Sequence, residues 1–97
     1  RKEPDAIAEM AALQAALLDA AAPLVLAGGV LVYSVCSLEP EETDAIVTPF
    51  LSRHPEFSLD DARPFLPPSF RGSEPFFRAL PHLHGTDGVF AARLARR

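Results

Sequence analysis

The chain of 97 residues contains a single cysteine. One thiol excludes an intrachain disulfide and any zinc site built from several thiolates, and it fits a reducing, cytoplasmic setting. No uninterrupted apolar run approaches the roughly 20 residues needed to span a bilayer, and the opening residues lack the pattern of a signal peptide. No membrane partner is expected. Strong positive charge is missing as well, the formal net charge being −4. Residues 1–52 hold two bases, Arg1 and Lys2, against eight acids, whereas residues 53–97 hold seven arginines against five acids. An autonomous RNA-binding module rests on a basic face. This chain lacks such strong basicity, so any attraction to RNA must come mostly from elsewhere in the protein. There is also no internal repeat and no low-complexity segment.

What is present suffices for a core. Hydrophobic residues make up 48% of the chain, too many for a disordered segment. Residues 1–97 allow one small domain or part of a larger one. Residues 5–22 form an amphipathic helix with Pro4 at its first position and Asp5 and Glu9 near its start. Ile7, Met10, Ala11, Gln14, Leu17, Leu18 and Ala21 recur on one face. Gln14 interrupts that face and reads as a side chain at its margin. The helix is expected to continue past Pro23 and to close near Gly28.

Val30 to Val35 is a nearly continuous apolar run, which predicts a strand buried on both faces. A second helix is expected from Pro40 to Arg53, bent at Pro49, with Ile46, Val47, Phe50, Leu51 and His54 inward. Phe57 to Asp60 is a short strand. Residues 63–81 are an irregular, proline-rich loop that packs over the body, with Phe76 to Leu80 as a candidate brief strand. Gly85 to Gly88 reads as a turn, and 88–94 as the last strand.

The informative stretch is Leu31-Val32-Tyr33-Ser34-Val35-Cys36-Ser37-Leu38-Glu39-Pro40-Glu41-Glu42. It places the lone thiol where a strand hands over to a helix, the end of an open α/β sheet at which ligands collect. A helix opening after Cys36 favours a thiolate, and Glu39, Glu41 and Glu42 oppose it. Residues alone leave Cys36 open between a small buried hydrophobe and a nucleophile. Glu41 and Glu42 read as helix-start acids. His82 and His84 lack a third metal ligand nearby.

Tyr33 to Ser37 followed by Pro40-Glu41-Glu42, with His84-Gly85-Thr86-Asp87-Gly88-Val89-Phe90 later, resembles two motifs of the Sun-type (Fmu, nucleolar protein family) 16S ribosomal RNA (cytosine-5)-methyltransferases. The resemblance covers nearly the whole chain and the C-terminal part of such an enzyme. It implies an α/β, Rossmann-like methyltransferase fold. The part in hand would be a three-stranded mixed sheet in the order 30–35, 88–94, 57–60 with two main helices.

The resemblance also implies Cys36 as the catalytic nucleophile, adding to carbon 6 of cytosine so that carbon 5 can accept a methyl group. Ser37, His84 and Asp87 become candidate substrate contacts, with His84 and Asp87 on the rim of Cys36. S-adenosylmethionine is the implied cofactor and ribosomal RNA the implied partner of the full-length enzyme. The family's glycine-rich loop, cofactor acid and earlier cysteine are absent here, so the isolated chain is expected to be inactive and not to bind the cofactor. Val35, Thr43 and Val89 depart from the residues common at those positions. Strand 30–35, left with an open edge, is expected to promote self-association. Two rivals are a non-catalytic interaction module and a thiol hydrolase using Cys36 and His84.

Overall fold

A computed structural model describes residues 4–36, 39–79 and 88–97. Helix α1 spans Pro4–Ala21, with Pro4 in its first turn and Asp5 near its positive end. Alanine favours the helix throughout. It does not run past Pro23 as expected. A 3-10 turn, Ala22–Leu24, carries the chain through the proline, and Val25 is already extended. The ring removes one amide proton and crowds the carbonyl four residues back, so the helix tightens instead of continuing. Gly28, at φ 85°, then turns the chain, and the Gly29 amide closes the turn on the Leu26 carbonyl at 2.8 Å. A Cβ on Gly29 would stand 2.9 Å from that carbonyl oxygen, which only glycine tolerates.

By length and composition the segment Pro4–Leu24 could cross a membrane, because alanine raises mean hydropathy without any uninterrupted apolar run. In the fold it is a surface helix packed on a sheet. Ile7 and Leu18 point inward, Ala11 and Ala15 lie at the margin, and Asp19 bonds to the second helix.

Among the described residues the sheet has four strands: β1 (Val30–Val35), β2 (Phe57–Asp60), β3 (Phe77–Ala79) and β4 (Val89–Arg96). Their order is β1-β4-β2, with β3 also on β4. The expected slotting of the last strand between the other two is found. The sheet is not three-stranded and mixed, however. Among the described residues every pairing runs through β4 and is antiparallel, with Val35 opposite Phe90, Asp60 opposite Arg93 and Phe77 opposite Ala91. Strands β1 and β2 run the same way but do not pair, so no parallel pair forms among the described residues. Strand β3, Phe77–Ala79, falls within the brief strand expected over 76–80, where alternation at Phe77, Arg78 and Ala79 matches the edge that β2 leaves free on β4.

Helix α2 spans Asp44–Arg53. It opens later than expected, because residues Pro40–Glu42 form a separate 3-10 turn and Thr43 (φ −119°, ψ −100°) breaks the two apart. The helix continues through Pro49. Its missing donor would have served Ala45, and both residues are exposed, so water can take the freed carbonyl. Ile46, Val47 and Phe50 are buried against the sheet. They join Leu18, Tyr33, Phe57, Phe90, Ala92 and Leu94 in the core.

Both helices contribute to that single core, on one face of the sheet. Strand β1 is therefore not buried on both faces: Tyr33 is inside, whereas Val32 is 54% exposed. The arc of α1 that faces inward is also narrower than its apolar stripe. Leu17 is 58% exposed, and together with Met10 and Leu13 it borders a groove of about 430 Å³ beside residues 32–35 of β1.

The segment after β2 covers part of the second face, as expected. It does so through two 3-10 turns, Arg63–Phe65 and Pro68–Phe70. The Ala62 amide donates to the Pro75 carbonyl at 2.9 Å, and the Arg71 guanidinium donates to the carbonyls of Arg63 and Leu66. Arg93 reaches out of β4 to Asp60 at 3.0 Å and lies 4.0 Å over the ring of Phe65.

Candidate active site

Strand β1 delivers Cys36 to the end of the sheet. The β1–β4 ladder closes at Val35 and Phe90, and Cys36 is the next residue, a free and exposed thiol. In this chain Cys36 is exposed and not part of the core. The antiparallel register brings the start of β4, at Val89, to that same end. Ser37, His84 and Asp87 lie outside the described residues, as do His82 and residues 85–86. Among the described residues no group of histidine, cysteine and carboxylate side chains could hold a metal.

The chain after Cys36 is not the helix start that the sequence suggested. The backbone first makes the 3-10 turn, in which the Glu42 amide donates to the Glu39 carbonyl at 2.9 Å and the Thr43 hydroxyl to the same carbonyl at 3.1 Å. The N-terminal end of α2, expected to favour a thiolate, begins only at Asp44. Glu42 is not a solvated helix-start acid either, since it is 1% exposed. Helix α1, the 3-10 turn and α2 converge there. Glu41, by contrast, is exposed.

Behind the turn stands Tyr33, buried two residues before the end of β1. Its hydroxyl lies 2.6 Å from the Glu42 carbonyl and 2.9 Å from Oε1 of Gln14 on α1. Its ring meets Phe90 edge-on at 6.3 Å. Burial pushes the phenol up to about 12, with the negative charge of Glu42 adding to the shift. Sequence reasoning missed this arrangement. The available signal was Gln14, a polar residue inside an apolar stripe, which is a partner of Tyr33 and not a marginal side chain.

Two further polar clusters frame the core. Arg78 on β3 bonds Asp44 at 2.5 Å and Glu74 at 2.9 Å. At the far ends of the helices, Asp19 accepts from His54 at 2.7 Å and from Arg53 at 3.0 Å. These bonds, that of His54 foremost, hold the Asp19 carboxyl below its usual range.

A family model described as 16S rRNA methyltransferase RsmB/F matches residues 1–95. The ribosomal RNA small subunit methyltransferase B of Thermus thermophilus is 44% identical over 96 residues, which is 99% of this chain and 23% of that protein. Its counterpart in Yersinia pseudotuberculosis is 36% identical over 97 residues, covering 100% of this chain and 21% of that protein. The chain therefore spans between a fifth and a quarter of the length of these relatives. Among solved structures, the crystal structure of PH0851 superposes with a TM-score of 0.85 at 43% identity, over 99% of this chain and 21% of that one. NSun6 from Pyrococcus horikoshii, solved with SFG, superposes with a TM-score of 0.79 at 33% identity, over 99% of this chain and 24% of that one.

Proposed function

The chain belongs to the RsmB/F family of 16S rRNA methyltransferases, and from that premise we propose that the protein carrying it methylates carbon 5 of a cytosine in ribosomal RNA, with Cys36 as nucleophile. The observation that supports this most is the place of the thiol, exposed and immediately beyond the last paired residue of β1. Cytosine carbon 5 is a poor nucleophile. Addition of the Cys36 thiolate to carbon 6 makes it enamine-like, and only the thiolate is competent for that step. After methylation a base removes the carbon 5 proton, and the electrons left on carbon 5 expel the Cys36 thiolate. Ser37, His84 and Asp87 are proposed to contact the RNA at the same rim.

S-adenosylmethionine is the proposed source of the methyl group, a choice supported by the relative solved with SFG, an analogue of it. The described residues do not fit its site. Binding at the carboxyl end of a strand calls for a glycine-rich loop there. The described glycine pair, Gly28-Gly29, sits at the opposite end of β1, where its amide and carbonyl are bonded to Arg96. In this reading the cofactor is held by residues outside the 97, within a complete Rossmann-like domain working in the cytoplasm. The isolated chain is inactive and associates with a second copy through β1.

The test is covalent trapping on RNA containing 5-fluorocytosine, where the carbon 5 substituent blocks release. The full-length enzyme should form a denaturation-resistant adduct that Cys36→Ala abolishes. Persistence of the adduct in the alanine variant would assign the nucleophile to another cysteine. Failure of the unmodified enzyme to form any adduct would favour an interaction module that keeps the fold without the chemistry.

A further inference from the structure

We infer that the hydroxyl of Tyr33 is a positioning group for the nucleophile, clasping the turn after Cys36 to the strand before it and so fixing where the thiol stands; the inference rests on the reading of Cys36 given above. Cys36 belongs to a short connection with two anchors. The first is the β ladder, which ends at Val35 opposite Phe90. The second is the 3-10 turn Pro40–Glu42, which is stiffened by the bonds of Glu42 and Thr43 to the Glu39 carbonyl. Tyr33 joins the two anchors directly. Its hydroxyl reaches the Glu42 carbonyl at 2.6 Å and closes the chain from residue 33 to residue 42 into a ring that contains Cys36.

The clasp is itself held in place. Gln14 approaches the same hydroxyl at 2.9 Å from α1, and Phe90 supports the ring from β4, the strand that terminates the ladder beside Cys36. Because Glu42 is tied to Glu39 within the turn, fixing Glu42 also fixes Glu39. Only Cys36 and the two residues after it then lie between the anchors. A nucleophile must stand within a narrow range of distance and angle from the atom it attacks, and a displacement of about 1 Å can cost on the order of a hundredfold in rate. Phenylalanine would fill the same space in the core. The hydroxyl is needed for the turn, not for the packing.

The experiment is single-turnover adduct formation by full-length enzyme on 5-fluorocytosine RNA at saturating RNA, comparing unmodified protein with Tyr33→Phe. A rate constant at saturation does not depend on how much of the protein is folded, whereas the amplitude does. We expect the rate constant to fall about tenfold with the amplitude and RNA affinity retained. An unchanged rate constant overturns the inference, also where the amplitude alone falls, since that marks a merely structural hydroxyl. Should Tyr33→Phe fail to fold, Gln14→Leu, which strips the clasp of its contact with α1, carries the same two outcomes. The adduct is mapped by peptide analysis. An adduct on a residue other than Cys36 overturns the nucleophile assignment and this inference together, while a Cys36 adduct at the unmodified rate overturns this inference alone.

Discussion

Arg78 on β3 reaches across to Asp44, the first residue of α2, with 2.5 Å between the guanidinium and the carboxylate. On the way its guanidinium passes 4.9 Å from the centre of the Phe90 ring. It therefore links the short strand β3 to the helix layer through both charge and stacking. Replacing it by alanine should destabilise the domain by about 1–2 kcal/mol, because a partly buried stem and a cation–π contact are lost together with the ion pair. Asp44→Ala, which leaves the stacking in place and removes a more exposed group, should cost under about 1 kcal/mol. Urea unfolding of both variants checks the ordering.

The phenol of Tyr33 sets a pH dependence at the alkaline end. Its folded value, about 12, lies above that of an unfolded tyrosine, near 10. The protonated phenol is thus favoured by the fold. Its contribution is complete below pH 10 and is lost as the pH rises toward 12. The stability of unmodified protein relative to Tyr33→Phe should accordingly fall by about 2 kcal/mol across that interval. Paired denaturation curves at pH 9 and pH 12 measure the change.

Cofactor binding gives a simpler expectation. The isolated chain should show no saturable site for S-adenosylmethionine at micromolar concentration, because the Gly28-Gly29 turn is committed to Arg96 at the end of β1 away from Cys36. Titration calorimetry that returned a stoichiometric site would contradict it.

Self-association follows from the open side of β1. Among the described residues β1 pairs only with β4, Val30 and Val32 are exposed, and Val32 shares a groove with Met10, Leu13 and Leu17 of α1. An edge with no charge or proline invites a second strand. Sedimentation of the isolated chain should show concentration-dependent dimers, and Leu31→Lys should weaken them. A folded species of 10.5 kDa that stays monomeric at millimolar concentration would rule the association out.

Much of the sheet was legible. The apolar run marked β1 as a strand, and the resemblance placed β4 between β1 and β2, as found. Helix ends were harder, since Pro23 and the Pro40-Glu41-Glu42 run satisfy local rules for more than one kind of turn. Only the packing selects the 3-10 form. The inward arc of α1 could not be read from a segment so rich in alanine, where several faces are apolar enough to be buried. The position of the sheet decides that Ile7 and Leu18 go inside while Leu17 stays out. The same holds at the candidate site. Cys36 stood out as a lone thiol at a strand end, but the burial of Glu42 depends on α1 crossing near the 3-10 turn, a relationship between residues far apart in sequence.

Because β1, β2 and β3 pair only with β4 among the described residues, the order of synthesis matters. A ribosome adding about 5–20 residues per second exposes β1 several seconds before β4 exists to receive it. By the end of that interval β1, β2 and β3 are complete and, among the described residues, none has the strand it pairs with, while the helix layer can already begin to collapse on Tyr33 and Phe57. The pairing of these described strands therefore falls on one late event, the insertion of β4 between strands that are already waiting. Substitutions in Phe90, Ala92 or Leu94 should then act on the yield of folded protein in the cell beyond what their effect on equilibrium stability accounts for.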